Sequence, residues 1–215
     1  MNNLPNQFFY SKKEDRLNVL SHAIGFILSI IGLIFLINKG LKNFNLTYFM
    51  SLLIYGLSLS TMYIASTLYH NSKTANSRYN LRMFDMISIY ILIAGSYTPF
   101  TLILLKENQG WLLFTVIWLV AFFGIAWKVF TVGKYNLVTT SLYIFMGGLW
   151  LFFYESFVNQ IPSDALWWIT AGCLTYLAGV IFYLLDNKLK YNHFIWHLFV
   201  LAASGCHYIS IYFYI

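Results

Sequence analysis

Charge is what this sequence has least of. Only 9% of its 215 residues are Asp, Glu, Lys or Arg, against about a quarter in an average soluble domain. Cysteine is also scarce. Cys173 and Cys206 both lie inside apolar runs and suggest no disulfide framework. Hydrophobic residues make up 60% of the chain and aromatics 20%. So few charges cannot cover so much apolar surface in water. The composition excludes an ordinary soluble enzyme, a disordered chain and a disulfide scaffold, and leaves an integral membrane protein.

A bilayer span needs about 20 mostly apolar residues. Such runs occur at Leu17–Ile37, Leu46–Tyr69, Phe84–Leu105, Trp111–Trp127, Leu137–Tyr154, Ala165–Leu185 and His193–Ile215. They are continuous and lack the alternation of strands, so the sequence predicts an all-α, seven-helix membrane bundle. The fourth and fifth runs are the shortest. The connections at 39–45, 70–83, 106–110, 128–136, 155–164 and 186–192 are too short to hold another domain. Residues 1–215 therefore read as one membrane domain with a short polar N-terminal segment, 1–16. The first run is long and no small-residue cleavage site follows it, so it reads as a retained helix.

The net charge of +6 invites a nucleic-acid reading, but its distribution is that of membrane topology. Lys12, Lys13, Arg16, Lys73, Arg78, Arg82, Lys128, Lys134, Lys188 and Lys190 fall on one side of a seven-span chain. Lys39, Lys42 and Lys106 fall on the other. Basic residues concentrate on the cytoplasmic side. The expected N-terminus is cytoplasmic and the C-terminus outside, in the cell membrane, with no nucleic-acid partner.

Ionisable groups inside spans are costly and mark function by default. Of seven carboxylates, Asp85 alone falls within a span; the other six read as tail, loop or span-end residues. All five histidines, His22, His70, His193, His197 and His207, lie in or at the edge of spans. Topology brings His22, His70, Asp85, His193 and His197 to one membrane depth near the cytoplasmic side. His193 and His197, four apart, share one helical face and can present two imidazoles to one metal. His70 can add a third nitrogen. Asp85 can add an oxygen, directly or through water. Three nitrogens and one oxygen position suit Zn²⁺ with an exchangeable water better than iron or manganese.

The structural alternative for each is plain: a membrane histidine can simply hydrogen-bond between helices. His207 is assigned that role, because a rise of 1.5 Å per residue sets it about 15 Å beyond His197. Cys206 reads as packing. His22 either lines the cavity with Ser21 and Asn18 or ties the first span to a neighbour. Ser66, one turn before His70, either back-bonds to its helix or holds Asp85 or a water. Pro99 is expected to kink the third span. Gly147 and Gly148 are expected to allow close packing in the fifth.

These residues resemble the hemolysin III proteins, the bacterial branch of the progestin and adiponectin receptor (PAQR) superfamily. The matching motifs are Asn18-x-x-Ser21-His22-x-x-Gly25, Ser66-Thr67-Leu68-Tyr69-His70, Asp85, and His193-x-x-x-His197 followed by His207. They run through essentially the whole chain. The resemblance implies seven helices with a cytoplasmic N-terminus in a bacterial plasma membrane. It also implies zinc held by His70, His193 and His197, with Asp85 joining directly or through water. The superfamily is similar to alkaline ceramidases, which are membrane amide hydrolases. The chain lacks the long N-terminal domain of the receptors, which weighs against receptor signalling.

Three classes of function follow. The first is a zinc-dependent hydrolase of lipid amides or esters serving membrane lipid homeostasis. Asp85 would take or orient the water proton, Ser66 would assist, and a lipid or fatty-acyl substrate would enter sideways between helices. The second is a non-catalytic lipid sensor with structural zinc. The third is a pore-forming hemolysin, disfavoured because only scattered hydroxyls, Cys and His207 lie above Asp85. A retinal pigment is disfavoured, since the seventh span has no lysine for a Schiff base. Small-residue faces are too diffuse to fix an oligomeric state.

Overall fold

The computed structural model describes residues 10–43, 45–105, 108–186 and 188–215. Lys106, one of the three basic residues assigned to the outer side, lies outside them, as do residues 1–9 of the N-terminal segment. Among the described residues, seven helices are long and apolar enough to cross a membrane, and no strand occurs. They are α1, Lys12–Lys42; α2, Leu46–Asn71; α3, Ala75–Pro99; α4, Asn108–Phe130; α5, Asn136–Gly148; α6, Ser163–Leu184; and α7, Asn192–Tyr214. Seven spans of this kind make the chain a multi-pass membrane protein.

Several helices run past their apolar stretches, because capping rather than hydrophobicity sets where a helix starts. Helix α1 begins at Lys12, five residues before the apolar run. Ser11 and Glu14 form a reciprocal capping box that satisfies two end N–H groups. Helix α3 begins at Ala75, where the Thr74 side chain accepts from the Ser77 N–H. Arg78 and Arg82 therefore sit on a helix, not in the loop expected at 70–83. Helix α5 continues through a 3₁₀ segment, Leu149–Phe153, and a further helix, Tyr154–Gln160, well into the stretch read as a loop at 155–164.

The irregular segments have local causes. Pro99 has no N–H to give its helix, and the chain passes into a π-helical turn over Phe100–Leu104, with Leu105 N–H donating to the Phe100 carbonyl at 2.8 Å. At the 3₁₀ segment of α5, the Tyr97 hydroxyl donates to the Gly147 carbonyl at 2.9 Å and accepts from the Trp150 N–H at 3.2 Å. Backbone groups lost to the helix ladder are thus recovered by α3. Gly147 and Gly148 do not mediate close packing: a Cβ on either would meet nothing within 4 Å. Both line a cavity instead.

Helix α1 is polar and small toward the bundle. Its buried residues are Asn18, Ser21, His22, Gly25, Ser29, Gly32, Leu36 and Gly40, at helical spacing, while Leu20, Ile24, Ile27, Leu28 and Ile31 are exposed. This inversion suits a helix with lipid on its outer face, where association rests on close packing and hydrogen bonds. Gly25 shows how close the approach is, since a Cβ there would lie 2.5 Å from the Tyr63 ring. Helix α2 is the most enclosed span, packed between α1 and α3, and α7 packs on α6 and α1. Helix α5 packs on α3 and α4 rather than on α6. The N-terminal ends of α1, α3 and α7 and the C-terminal end of α2 come together where the histidines lie.

Candidate metal centre

His70 sits in the last turn of α2, and His193 and His197 in the first two turns of α7. One ligand atom of each lies within 4.8 Å of the others, and all three residues are buried. Their ring centroids are 4.8–5.0 Å apart. The start of α7 is set by α1: Glu14, already capping its own helix, accepts from the Tyr191 N–H at 2.8 Å. Tyr191 occupies the left-handed region at φ 66°, immediately before the helix.

Each imidazole is held by its Nδ1. His70 Nδ1 lies 3.2 Å from Asp15 Oδ1 and 3.4 Å from the Asn18 side-chain amide. His193 Nδ1 lies 3.1 Å from Asp186 Oδ2 and 3.0 Å from the Tyr10 hydroxyl. His197 Nδ1 lies 3.1 Å from Ser21 Oγ. Ser21 gives its own proton to the Asn18 carbonyl at 3.0 Å, so it accepts from His197. Tyr10 gives its proton to Asp186 at 2.5 Å, so it too accepts. The network therefore assigns an Nδ1–H to all three rings and leaves Nε2 as the lone-pair nitrogen of each.

The rings meet the requirement for a metal. His70 Nε2 is buried and has no hydrogen-bond partner among the described residues. Leaving such a group unsatisfied costs roughly 1–3 kcal/mol, and an ion between the three rings would supply the missing partner. The cluster can hold a metal ion.

Asp15 is further fixed by Arg78, whose Nη2 lies 2.7 Å from Oδ1. Arg78 is fully buried and also reaches the His70 carbonyl at 3.4 Å and the Ser72 carbonyl at 3.3 Å. Burial raises the Tyr10 phenol well above its ordinary pKa, which keeps it a donor. Burial alone would also raise the Asp186 carboxyl. The His193 imidazole and the Tyr10 hydroxyl that bond to it outweigh burial and hold it below its usual value.

Tyr10, Asp15, Arg78 and Asp186 were not among the residues singled out by sequence. One signal was present. The Ser11-Lys12-Lys13-Glu14 capping box starts α1 early enough to put Asp15, Asn18 and His22 on one helical face. Asp186 lies in the connection between α6 and α7, and no pattern marks it.

Asp85, on α3, is not one of the three mutually close ligands. It lines the same cavity as His193 and His197, with the Ser66 hydroxyl turned toward its carboxylate. That cavity, about 500 Å³ in volume, extends through the bundle to Trp150, Phe157 and His207 and is lined mainly by apolar side chains. A second cavity of about 450 Å³ is lined by Tyr10, Arg82, Asp186, Lys188 and Lys190, and it shares Asp85 and His193 with the first. The histidine cluster thus stands where a polar vestibule meets an apolar chamber.

His22 is buried in the chamber wall, stacked on His197 at 3.5 Å between ring centroids. His207 is outside the metal cluster. Its Nε2 lies 3.9 Å from Cys173 Sγ, and its ring meets Tyr176 edge-on at 5.6 Å. The half-buried Cys206 is a free thiol.

Comparison with known proteins places this arrangement. Residues 10–208 match the family described as haemolysin-III related. Hemolysin-3 of Bacillus cereus is 37% identical over 203 residues, which is 94% of this chain and 92% of that protein. The hemolysin-3 homolog of Bacillus subtilis strain 168 is 34% identical over 205 residues, covering 95% and 96% of the two chains. The human monocyte to macrophage differentiation factor, a PAQR member, is 32% identical over 171 residues, 75% of this chain and 69% of that one. The chain belongs to the haemolysin-III related family.

Proposed function

We propose that this protein is a zinc-dependent hydrolase of lipid amides or esters, acting within the membrane from a cytoplasm-facing centre. The observation that carries this reading is the junction itself. His193 and His197, two of three Nδ1-anchored histidines in one cluster, share the wall of an acyl-sized apolar chamber with a carboxylate outside that cluster, Asp85. At roughly 30 Å³ per water-sized group, a chamber of about 500 Å³ has room for one acyl chain of about 16 carbons.

Zinc bound by His70, His193 and His197 would polarise a carbonyl and lower the pKa of a water to about 7. The rest is the work of the chain. Asp15, Asp186 and Ser21 hold the three rings in one tautomer. Asp85 takes the proton of the attacking water, and Ser66 orients its carboxylate. The apolar chamber excludes bulk water and holds the acyl chain. The vestibule admits water and the polar part of the lipid.

Entry is from the bilayer. Leu151 on the α5 extension and Leu174 and Leu177 on α6 line the chamber yet remain exposed, along the side where α5 packs on α3 and α4.

The test is turnover in a reconstituted bilayer. Zinc-loaded protein is expected to release fatty acid from at least one of ceramide, phospholipid or a simple acyl amide, and chelation should abolish that release. Fully zinc-loaded protein with no turnover on any of the three classes would count against hydrolysis and favour the sensor reading, in which the metal pins α2 to α7.

The orientation rests on the ten-to-three division of basic residues. Single cysteines placed at 72–74 are expected to resist impermeant thiol reagents in intact cells and to react after permeabilisation. Labelling from outside would reverse the topology.

A further inference from the structure

We propose that His22 is a binding residue of the chamber, donating a hydrogen bond to the carbonyl oxygen of the acyl ligand. This deepens the acyl-lipid reading and rests on it. His22 is 3% exposed, and neither ring nitrogen has a hydrogen-bond partner among the described residues. The His197 backbone approaches it without reaching hydrogen-bonding geometry.

Every other histidine near the centre is spoken for. His70, His193 and His197 have their Nδ1 atoms bonded and their Nε2 atoms available to a metal, and His207 has Cys173. A neutral imidazole carries one N–H donor and one acceptor, and burying both without partners is unfavourable. An apolar side chain of the same size would fill the site without that penalty.

The ring is held firmly. It lies parallel to His197 at 9° and 3.5 Å, and meets the Tyr63 ring edge-on at 5.2 Å. Tyr63 is itself bonded to Ser204, and Gly25, one turn along α1, lets the Tyr63 ring approach. A fixed, desolvated donor in the wall of an apolar chamber, beside the metal cluster and in the same wall as Asp85 and Ser66, is matched by a ligand with one oxygen at the head of a hydrocarbon chain. The apolar lining alone would not fix how far the chain slides, whereas a donor at its head sets that register.

The experiment compares hexadecan-2-one, whose carbonyl has no hydrolysable bond, with hexadecane, which has the same chain length and no oxygen. Both are bound to zinc-loaded, detergent-solubilised protein, with metal content measured in parallel. His22→Phe preserves volume and stacking but removes both nitrogens, and His22→Leu repeats the comparison if Phe does not fold. His22→Gln restores a donor.

The wild type is expected to bind hexadecan-2-one about tenfold more tightly than His22→Phe, the ratio that a hydrogen bond of about 1.4 kcal/mol provides. Hexadecane should bind both proteins equally, and His22→Gln should recover most of the tenfold. Equal hexadecan-2-one affinity in wild type and His22→Phe would overturn the assignment and leave the acyl chamber intact. Loss of zinc from His22→Phe would also overturn it, showing that His22 serves the metal through His197. Failure of the wild type to bind either compound would overturn the chamber reading together with this one.

Discussion

Purified His197→Ala protein is expected to lose stoichiometric zinc. A four-coordinate structural zinc site is worth about 10–16 kcal/mol at neutral pH, or roughly 3–4 kcal/mol per ligand. Deleting one imidazole should therefore weaken binding on the order of a hundredfold to a thousandfold. The loss has a structural side. His197 would share the metal with His70, so the ion would join α7 to α2, and the Nδ1 partners Ser21 and Asp15 carry the link to α1. Wild-type protein should melt at a lower temperature once chelator is added, and His197→Ala should be indifferent to it.

Two controls grade the effect. Asp186→Asn removes only the carboxylate behind His193, and losses at such supporting positions run about 10–100-fold in metal affinity. It should stay loaded at saturating zinc and release metal sooner under chelator competition. His207→Ala should keep its zinc, because that imidazole is outside the cluster and bonded toward Cys173. Full zinc in purified His197→Ala, or equal loss in all three variants, would refute the three-histidine assignment.

The histidines themselves are legible in the sequence, and the reason is thermodynamic. A titratable group inside a span costs enough to be rare, so His70, His193 and His197 stand out against their apolar neighbours, and the spacing of four fixes their shared face. The supporting groups were hidden by the same logic. Asp15 and Asp186 read as tail and loop residues, yet they fold back over the cluster. A carboxylate outside an apolar run carries no penalty to mark it, and only the early start of α1 and the turn before α7 bring these two to the rings. The glycine pair in α5 misled for a related reason. A small residue in a span signals either close approach or open space, and at Gly147 and Gly148 the 3₁₀ segment and the chamber make it open space. The number of helices followed from hydropathy. Their ends did not, because Ser11 and Thr74 set the starts of α1 and α3 through hydrogen bonds that hydropathy does not register.

Asp85→Asn separates chemistry from architecture. Asp85 shares the chamber wall with two of the three ring ligands but lies outside the mutually close set, so a change there should spare most of the metal. Asn keeps the size and one accepting oxygen, which leaves Ser66 with an acceptor to bond, but it cannot take a proton from water. General-base catalysis contributes about 10²–10⁴-fold. Fatty-acid release in reconstituted bilayers should fall by that factor in Asp85→Asn while zinc content stays near wild type. If the metal only pins the helices together, the same substitution leaves cellular lipid composition unaltered and shows itself as a lower melting temperature. Both quantities can be read on one preparation: turnover, and melting with and without chelator. Undiminished turnover in Asp85→Asn would remove Asp85 as the base while leaving metal-assisted hydrolysis standing, and the proton would then have to leave toward the vestibule shared with His193 and Asp186. Loss of zinc along with turnover would instead make Asp85 a ligand, closing the coordination position that hydrolysis needs open.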